Sequence, residues 1–549
     1  MLSGLVDVVT LIELGLLGWI LYALFTAVYN VYFHPLRRFP GPLAARASNG
    51  WKLYMEVFRQ ESPVHLLQKL HQQYGDVVRI RPNELHFSSA NAYHDIYNPS
   101  ARWDKDRVQY ESVGADHSMV SLIPYEEAKQ RKAVLKSLFS HRAVSNLQGL
   151  VRRKVRPRFL VSSNEAPRTD LFYTQVDHLV QVLKKRNEEG KSSDLLMAFR
   201  CMALDAATDF CFGTSLDALE VPEFKAPLLV AMDAALPGFV VMKHFPLLRK
   251  IALHLPSWHK ETDHPTTTVQ AHRHPLPRPS RPPRTQEMVR QQVANVIAHP
   301  EILKSQPHAT VYHRLLDPEA QQHAHPAAVL FDEANTLMFE ATHTVADPTM
   351  FGLFHILSNP ALHARLLAEI RSVWPDSDSD SDSDNAPRLE VLETLPLLTA
   401  TIKESLRMAP GIASPLFRVT PASGAVIAGR GVPAGATVGM SIYHVHHNAA
   451  LFANPEHFDP DRWLQQPQDD KPSKQDNLDQ WFVAFSRGPR SCPGKNLAWC
   501  EMYILLSTML RTFDLRLDRT TASDLAWRDC LVPYFTGRHL HAWCLPSKE

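Results

Sequence analysis

The stretch FSRGPRSCPGKNLA, residues 485–498, decides how the rest of the chain is interpreted. It places Cys492 between two glycines, with Arg490 two residues earlier. Glycine permits a sharp turn with positive φ before the cysteine, and the apolar run that follows, residues 497–513, predicts a helix. A thiolate at a helix N-terminus is stabilised by the helix dipole and by free N–H groups. The stretch therefore predicts a loop that can present one thiolate to a metal centre, with Arg490 available to pair with an anion.

The spacing within this loop resembles that of a known family. An isolated cysteine at a helix start is, by itself, more often structural than a ligand. Here Phe485, Gly488, Arg490, Cys492 and Gly494 match FxxGxRxCxG at every specified position, and this pattern is similar to the haem-binding signature of the cytochrome P450 family. The resemblance implies that Cys492 is the axial ligand of haem iron, that Arg490 pairs with a haem propionate, and that Phe485 packs under the ring near the sulfur.

Two further motifs support the resemblance. KESLR places Glu404 and Arg407 three residues apart on one helix face, which in isolation indicates only a surface salt bridge. FDPDRW contains Arg462 at the place of the family's later arginine. In the family these groups form one buried network, so the resemblance implies a structural role for Glu404, Arg407 and Arg462. Removing one partner from such a network typically costs about 3–5 kcal/mol.

Residues 333–357, EANTLMFEATHTVADPTMFGLFHIL, resemble the long helix that crosses the distal face of the haem. The family pattern [AG]Gx[DE]T[TS] falls on residues 340–345, which places Thr344 at the hydroxyl that supports proton delivery. The usual acid is replaced by His343, and the usual small first residue by Glu340. A histidine can carry protons near neutral pH, so His343 and Thr344 are predicted to form the catalytic relay. Pro348 is expected to kink this helix.

Other basic residues match positions that contact haem propionates in the family. The run SPLFRVTP, residues 414–421, contains Arg418, and the helical run KQRKAVLKSLFS, residues 129–140, contains Arg131 and Lys132. The resemblance implies that these cations hold the cofactor together with Arg490. The same charges would also suit exposed positions on a strand or helix.

Hydrophobic periodicity predicts a mainly α protein with small β sheets. Helical spacing is clear over residues 64–74 and 126–139. Strand-like runs lie at residues 77–81, 85–88, 426–427 and 437–441. Together with the resemblance, this predicts the cytochrome P450 fold over residues 51–549, behind an N-terminal transmembrane helix.

The N-terminal segment predicts a membrane anchor. Residues 14–33 carry no charge over 20 positions, enough for about 30 Å of helix and for the core of a bilayer. Arg37 and Arg38 follow directly, so the rest of the chain is predicted to be cytosolic. A signal peptide would have a basic start and a shorter apolar run. We therefore expect residues 1–35 to be a single-pass anchor, with the endoplasmic reticulum as its membrane, and residues 36–50 to form a Pro-rich hinge.

Two segments are predicted to be solvated insertions without fixed structure. The one near residues 260–290 has six prolines, four arginines and no acid between positions 264 and 286. The one near residues 376–386 alternates Asp and Ser. Insertions without function explain both, although the basic segment would also suit contact with anionic lipid headgroups. A mis-spliced gene model is a further explanation of the basic segment.

Composition excludes several classes of function. Lys+Arg minus Asp+Glu is 58 − 57, a net charge of +1, which gives no electrostatic case for binding nucleic acid. Six cysteines without a CxxC pair argue against a disulfide scaffold and a structural zinc site. The sequence has neither GxGxxG nor GxxxxGK[ST], so no nucleotide-binding module is visible.

The resemblance implies a haem-thiolate monooxygenase that uses O₂ and electrons from NADPH, delivered by a separate reductase. The sequence HHNAALFANPEHFDPDRWL further resembles the fungal secondary-metabolite branch, of trichodiene-oxygenase type. The expected reaction is hydroxylation or epoxidation of a lipophilic terpenoid or polyketide intermediate. By chain order, residues 103–122 and 532–536 are predicted to border the substrate. A reductase-independent haem isomerase or dehydratase, and a decayed member without turnover, remain alternative interpretations.

Overall fold

The structure is a computed structural model that describes residues 2–147, 171–249, 284–304, 306, 308–317, 325–375, 386–464 and 478–547. The insertion predicted near residues 376–386 lies almost wholly outside the described residues. The one near residues 260–290 also lies outside them up to residue 283, and its end enters a helix that begins at Arg284.

The described helices, in chain order, are as follows: α1 Leu2–Tyr32, α2 Leu43–Ala47, α3 Gly50–Leu53, α4 Pro63–Tyr74, α5 Ala90–Ile96, α6 Arg107–Glu111, α7 Tyr125–Leu135, α8 His141–Asn146, α9 Leu171–Glu188, α10 Leu195–Phe212, α11 Pro227–Met242, α12 Arg284–Ala298, α13 Glu301–Lys304, α14 Val311–Leu315, α15 Ala327–Leu357, α16 Pro360–Val373, α17 Leu389–Leu392, α18 Pro396–Met408, α19 Ile442–His446 and α20 Lys495–Thr512. A π-helical turn lies at Tyr54–Phe58, and 3₁₀ turns lie at Ala218–Glu220, Pro222–Phe224, Pro460–Trp463, Leu478–Trp481 and Ala522–Leu525.

The strands of the described residues are short and form four small sheets. They are β1 Val77–Arg81, β2 Glu84–Phe87, β3 Ser193–Asp194, β4 Arg418–Val419, β5 Ala425–Ile427, β6 Arg430–Val432, β7 Thr437–Gly439, β8 Phe513–Leu517, β9 Trp527–Cys530, β10 Val532–Phe535 and β11 His541–Pro546. The largest sheet has the order β1-β2-β7-β4, and its β2–β7 pair is parallel. The other described sheets are β3-β11-β8, β5-β6 and β9-β10. The predicted class, mainly α with small β sheets, is confirmed.

The longest helix of the interior, α15, organises the core. It begins after Pro326, runs 31 residues and packs among α10, α12, α18 and α20 in one hydrophobic cluster. The helix continues through Pro348, which cannot donate a backbone hydrogen bond. At the next residue, the Thr349 hydroxyl donates to the Val345 carbonyl at 2.8 Å. This helix thereby keeps a long, continuous wall beside the loop that carries Cys492.

Helix α18 shows how a neighbouring element fixes a helix start. Its first residue is Pro396, which suits the first helical position. The carboxylate of Glu369, on α16, accepts hydrogen bonds from the backbone N–H groups of Leu397 and Leu398, both at 2.8 Å. Two N–H groups that a helix start leaves unpaired are thus satisfied by α16, and the face of α18 that carries Glu404 and Arg407 is held in place.

The N-terminal helix α1 differs from every other long helix in its exposure. Its segment Thr10–Tyr32 is long and apolar enough to cross a membrane, and none of its most apolar window is buried. Pro222–Met242 passes the same test of length and composition but is one-third buried. The predicted hinge, residues 36–50, contains α2 and buries Leu36 and Phe39 against the sheet that contains β1 and β2. This segment therefore packs with the body of the protein.

Candidate active site

A cavity of about 1040 Å³ lies between α15 and the loop before α20. Apolar side chains such as Phe239, Phe339, Ile412 and Leu416 form much of its wall. Cys492 stands in the opposite wall, exposed to the cavity. The cavity thus brings the predicted distal helix and the predicted thiolate loop to the two sides of one space.

The cysteine loop is shaped by backbone contacts that its glycine makes possible. The Cys492 N–H donates to the Phe485 carbonyl at 2.9 Å, which closes the loop. Gly488 has a φ of +71°, and a Cβ there would lie 2.7 Å from the carbonyl oxygens of Tyr97 and Asn98. Glycine is therefore required at this position both for its conformation and for its space. Gly494 has an ordinary φ of −78° and precedes the first residue of α20.

The surroundings of Cys492 favour the neutral thiol over the thiolate. Burial, followed by the charge of Glu340, raises its pKa to about 12, although the Gly494 N–H and Lys132 act in the opposite direction. A metal cation at the sulfur would supply the positive charge that deprotonates a thiol. Phe485 also lines the cavity, with its ring centroid 6.5 Å from that of Trp499. The loop therefore suits a sulfur that is ionised by a bound metal.

Four basic side chains converge near the same cavity: Lys105, Lys132, Arg418 and Arg490. Lys132 Nζ donates to the Ser491 carbonyl at 2.6 Å, and Arg490 donates to the carbonyls of Leu122 and Ile123 at 2.9 and 2.7 Å. Arg418 donates to the Tyr110 hydroxyl at 3.1 Å, and Lys105 donates to the Val120 carbonyl. Among the described residues, no carboxylate oxygen lies within 4.0 Å of these four cations, and the Nε of Arg490 is buried without a hydrogen-bond partner.

These cations repel one another. Burial first, then Arg418, Arg490 and Lys132, hold the pKa of Lys105 well below its usual range. Burial and Arg418 lower the pKa of Arg490 to about 10. A ligand with two negative charges would offset this repulsion, and the two propionates of haem have that charge. The donor set, with one thiol and four cations, therefore fits haem.

The predicted propionate contacts are only partly brought together. Lys132 and Arg490 line the cavity, and Arg418 lies directly behind its wall. Arg131 instead lies 3.5 Å from Glu333 Oε2 and is not among the lining residues. Sequence reasoning missed Lys105, which lines the cavity. Its segment, WDKDR, carries no recognisable motif, so its position depends on how the loop folds back over the cavity.

The distal helix presents Thr344 but not His343 to the cavity. Thr344 lines the wall, and its hydroxyl donates to the Glu340 carbonyl at 2.7 Å, which draws the hydroxyl onto the helix. His343 is not among the lining residues, and its Nε2 lies 3.2 Å from Asp233 Oδ1 on α11. His343, which occupies the place of the family's acid, is thus turned toward α11 and away from the cavity. Any part that it plays in proton delivery is therefore indirect.

Glu340, noted in the sequence only as a departure from the family pattern, lines the cavity one turn before Thr344. Burial raises its pKa to about 7; Glu333 acts in the same direction, and Lys105 opposes the shift. The helical spacing of four residues predicts that Glu340 and Thr344 share one face. That spacing was the available signal that residue 340 would face the same space as Thr344.

Glu404, Arg407 and Arg462 form one buried network. Arg407 donates to both carboxylate oxygens of Glu404, at 2.8 and 2.9 Å, and Arg462 Nε donates to the same carboxylate at 3.1 Å. Trp463 Nε1 donates to it at 2.8 Å, and the Asp459 N–H at 2.9 Å. Arg407 further donates to the carbonyls of His446 and Pro455. This carboxylate therefore joins α18 to the 3₁₀ turn at Pro460–Trp463.

Of the two predicted substrate segments, residues 103–122 line the cavity and residues 532–536 do not. Within residues 103–122, Tyr110, Val113 and Met119 line it. At the C-terminal hairpin, the lining residue is Leu531, between β9 and β10, and none of residues 532–536 is among the lining residues. Leu531 stands at the tip of this hairpin with a φ of +84°. The prediction that residues 532–536 enter the pocket is therefore wrong, because the residue that lines the cavity is the one before them.

Comparison with known proteins gives a consistent result. The family model described as "Cytochrome P450" matches residues 46–526. The chain is 34% identical over 564 residues to the cytochrome P450 monooxygenase flvC of Aspergillus flavus, covering 96% of this chain and 95% of the relative. It is 33% identical to the cytochrome P450 monooxygenase macH of Penicillium terrestre, with 94% of each covered. It is also 29% identical to the tryptophan 6-hydroxylase fscE of Fusarium equiseti, with 93% of this chain and 92% of the relative covered.

Proposed function

The chain belongs to the cytochrome P450 monooxygenase family of fungal secondary metabolism, and from this premise we propose that it is a haem-thiolate enzyme that hydroxylates or epoxidises a lipophilic terpenoid or polyketide intermediate. The observation that carries the proposal is that Cys492, Lys105, Lys132 and Arg490 all line one largely apolar cavity, with Arg418 behind its wall. Among the described residues, none of these four cations has a carboxylate partner. The family supports haem as the cofactor, and the donor set supports Cys492 as its ligand.

Residues on one side of the haem would bind the cofactor, and residues on the other side would supply protons. Cys492 would bind the iron, while Lys105, Lys132 and Arg490 would bind the propionates and Arg418 would add positive charge behind them. Bound haem supplies the activation of O₂ and the oxidation of the substrate. Thr344 would hold a proton donor at the cavity wall, and His343 would supply a proton to that turn from behind.

The cavity wall supports an apolar substrate. Phe239, Phe339, Ile412, Leu416 and Leu531 surround the space, and apolar walls favour ligands that leave water. The polar side chains that α15 contributes to the wall are Asn335, Thr336, Glu340 and Thr344. A substrate of this cavity would therefore be held mainly by apolar contacts, and its position against α15 would select the carbon that reacts.

Electron delivery and location follow the same reasoning. We propose that electrons come from an NADPH-dependent cytochrome reductase, since the sequence has no nucleotide-binding motif of its own. The exposed helix α1 supports a single-pass anchor in the endoplasmic reticulum with a cytosolic catalytic domain. A shared membrane would concentrate the reductase, the enzyme and an apolar substrate in one plane.

The proposed function is tested with microsomes that contain the full chain and the reductase. Reduction and carbon monoxide should give the strongly red-shifted Soret band of a thiolate-bound haem. Terpenoid and polyketide scaffolds are then supplied with NADPH, and product masses are read against a control without NADPH. A gain of one oxygen atom that requires NADPH is the expected result; conversion without NADPH would contradict a monooxygenase and favour an isomerase or dehydratase.

The cation cluster, formed by Lys105, Lys132, Arg418 and Arg490, is expected to hold the haem, so loss of one member should weaken haem retention. Replacing Lys105 with Gln removes one charge-assisted contact, so we expect haem affinity to fall roughly 10- to 100-fold. The measurement is the rate of haem transfer to apomyoglobin. Lys136→Gln, on an exposed residue just after α7, is the matched control and should leave the rate unchanged. Equal rates in Lys105→Gln and wild type would show that Lys105 does not contact the cofactor.

The exposed helix α1 predicts a change in partitioning. Deleting residues 1–33 removes the helix that is expected to cross the membrane, so the protein should change from integral to peripheral membrane association. Carbonate washing should then release it, and the reduced carbon monoxide band should be kept. Some membrane affinity is expected to remain, since Phe58, Leu247 and Leu248 are also exposed. Fractionation of washed microsomes is the measurement. Retention of the truncated chain after carbonate washing would contradict anchoring by α1 alone.

A further inference from the structure

Helix α15 carries a row of polar side chains along the cavity wall. Thr336, Glu340 and Thr344 follow one another at intervals of four residues, and all three line the cavity. Residues four apart lie on one face of a helix, with their Cβ atoms about 5–6 Å apart. The proposed function gives a task to Thr344 alone, so the polar groups of Thr336 and Glu340 are not yet explained.

The carboxyl group of Glu340 stands in the cavity wall without a protein partner. Among the residues that the structure describes, none donates a hydrogen bond to it, and Lys105 acts on it only by its charge. Lys105 itself donates to the Val120 carbonyl and is one of the cations proposed to hold the haem. Burying a carboxyl group without a hydrogen-bond donor is costly. The cavity therefore lacks a donor at this position.

Glu333, on the same helix, shows how a carboxyl group is satisfied where the protein supplies the partners. Its Oε2 accepts a hydrogen bond from the Met119 N–H at 2.8 Å and lies 3.5 Å from Arg131 Nη1. Glu333 is 1% exposed and is not among the residues that line the cavity. The contrast indicates that the donor for Glu340 comes from a molecule inside the cavity rather than from the protein.

Thr336, one turn before Glu340, is a second unsatisfied group on this face. It is 7% exposed, and its hydroxyl is buried without a hydrogen-bond partner. The hydroxyls of Thr342, Thr344 and Thr349, by contrast, each donate to the carbonyl four residues earlier in α15. A threonine in a helix has two favoured χ1 rotamers, so the Thr336 hydroxyl can turn toward a group that Glu340 holds.

An alcohol fits these two side chains better than other uncharged groups. An ionised carboxylate only accepts hydrogen bonds, whereas a hydroxyl both donates and accepts. An alcohol can therefore donate to Glu340 and accept from Thr336 with one oxygen atom. An ether or an alkyl group would leave the carboxylate unpaired. The apolar side chains beside them, Phe339 and Val345, suit the hydrocarbon part of the same molecule.

We propose that Glu340 is a specificity-determining residue whose carboxylate binds a hydroxyl group of the substrate, with Thr336 donating to the same oxygen. This inference rests on the proposed function and deepens it, because the substrate is then a lipophilic molecule that already carries a hydroxyl group. The contact limits how the rest of the molecule can lie in the cavity. The reaction that supplies the substrate belongs to a class that leaves a hydroxyl group, such as ketone reduction or an earlier hydroxylation.

The test uses three sesquiterpenoid probes of similar shape: the alcohol cedrol, its methyl ether and the parent hydrocarbon cedrane. Equilibrium dialysis with the haem-loaded full chain gives the Kd of each at pH 8, above the pKa of about 7 of Glu340. We expect wild type to bind cedrol about 10-fold more tightly than the ether. Glu340→Leu should abolish this preference without weakening the binding of cedrane. The same alcohol-to-ether ratio in Glu340→Leu and wild type would overturn the proposal.

Two milder variants keep the shape of the site. Glu340→Gln retains a neutral acceptor, so it should lose only part of the preference for the alcohol. Thr336→Val removes the hydroxyl alone, and the alcohol-to-ether ratio should fall by about 3- to 5-fold. A full preference for cedrol in both variants would contradict an anchor formed by these two side chains.

A control on the opposite wall separates this inference from the proposed function. Glu501, on α20, also lines the cavity and is 4% exposed, and Glu501→Gln should keep the wild-type ratio. A loss in Glu501→Gln as large as that in Glu340→Leu would overturn a specific role for Glu340. The reduced carbon monoxide spectrum of each sample reports the haem-thiolate site independently. A missing band in wild type would contradict the proposed function, whereas a normal band with an unchanged ratio would contradict only the inference.

Discussion

Replacing Cys492 with serine should abolish the red-shifted carbon monoxide band and reduce NADPH-dependent turnover to background. A serine hydroxyl ionises far less readily than a thiol and is a poor ligand for haem iron, so the strong donor on the proximal side is lost. The cavity, the three cations that line it and Arg418 behind its wall would remain, so haem could still bind weakly. The measurements are the reduced carbon monoxide spectrum, the haem content and the product yield of the same preparations.

Two further variants make this result specific. Cys492→His keeps a metal ligand at the same position, so haem content should largely recover while the thiolate band stays absent. Cys544→Ser changes another buried cysteine, in β11, and should keep both the band and the turnover. If Cys492→Ser retained the red-shifted band, the sulfur that binds the iron would have to be another cysteine and the proposed site would be wrong.

Replacing Glu404 with alanine should destabilise the fold by about 3–5 kcal/mol, the cost of leaving buried charges without their partner. Both Arg407 and Arg462 point at this carboxylate, and the side chains of Glu404 and Arg407 are 0% exposed. A loss of this size is a large part of the stability of a typical domain. The measurement is urea unfolding followed by tryptophan fluorescence, with haem release recorded in parallel.

An exposed ion pair beside this network offers a matched control. Arg365 and Asp461 lie 2.6 Å apart, and their side chains are 49% and 52% exposed. Arg365→Ala should therefore cost less than about 1 kcal/mol. Arg462→Lys keeps a charge but loses the geometry of the guanidinium, so an intermediate cost is expected. Equal unfolding curves for Glu404→Ala and Arg365→Ala would contradict a structural role for the network.

Much of the fold was predictable because its signals are local. The residues that shape the cysteine loop lie within ten positions of one another, and the turn depends on Gly488 having no side chain. Strand β1 coincides with the predicted residues 77–81, and α4 begins one residue before the predicted 64. Helix α15 begins six residues before the predicted 333, since its first turns have no recognised motif.

The parts that could not be predicted depend on contacts distant in sequence. Lys105 joins the cation cluster because the loop after α5 folds back over the cavity, and its partners lie more than 300 residues away in the cases of Arg418 and Arg490. His343 was expected to act at the cavity, but an acid 110 residues earlier, Asp233, draws its ring toward α11. The periodicity of a helix shows which residues share a face. It does not show which residue of another helix or loop each polar side chain will hydrogen-bond.

The join between α1 and the rest of the protein limits how the molecule can tilt. Only three residues separate Tyr32, the last residue of α1, from Leu36, which is 0% exposed. Asn30, still within α1, donates to the Ala47 carbonyl at 2.9 Å. Three residues span at most about 10 Å, so the catalytic domain has little freedom to reorient relative to α1. The tilt of α1 in the membrane therefore sets the orientation of the catalytic domain. Lengthening the three-residue connection with glycine and serine would let the domain rotate freely on the membrane surface.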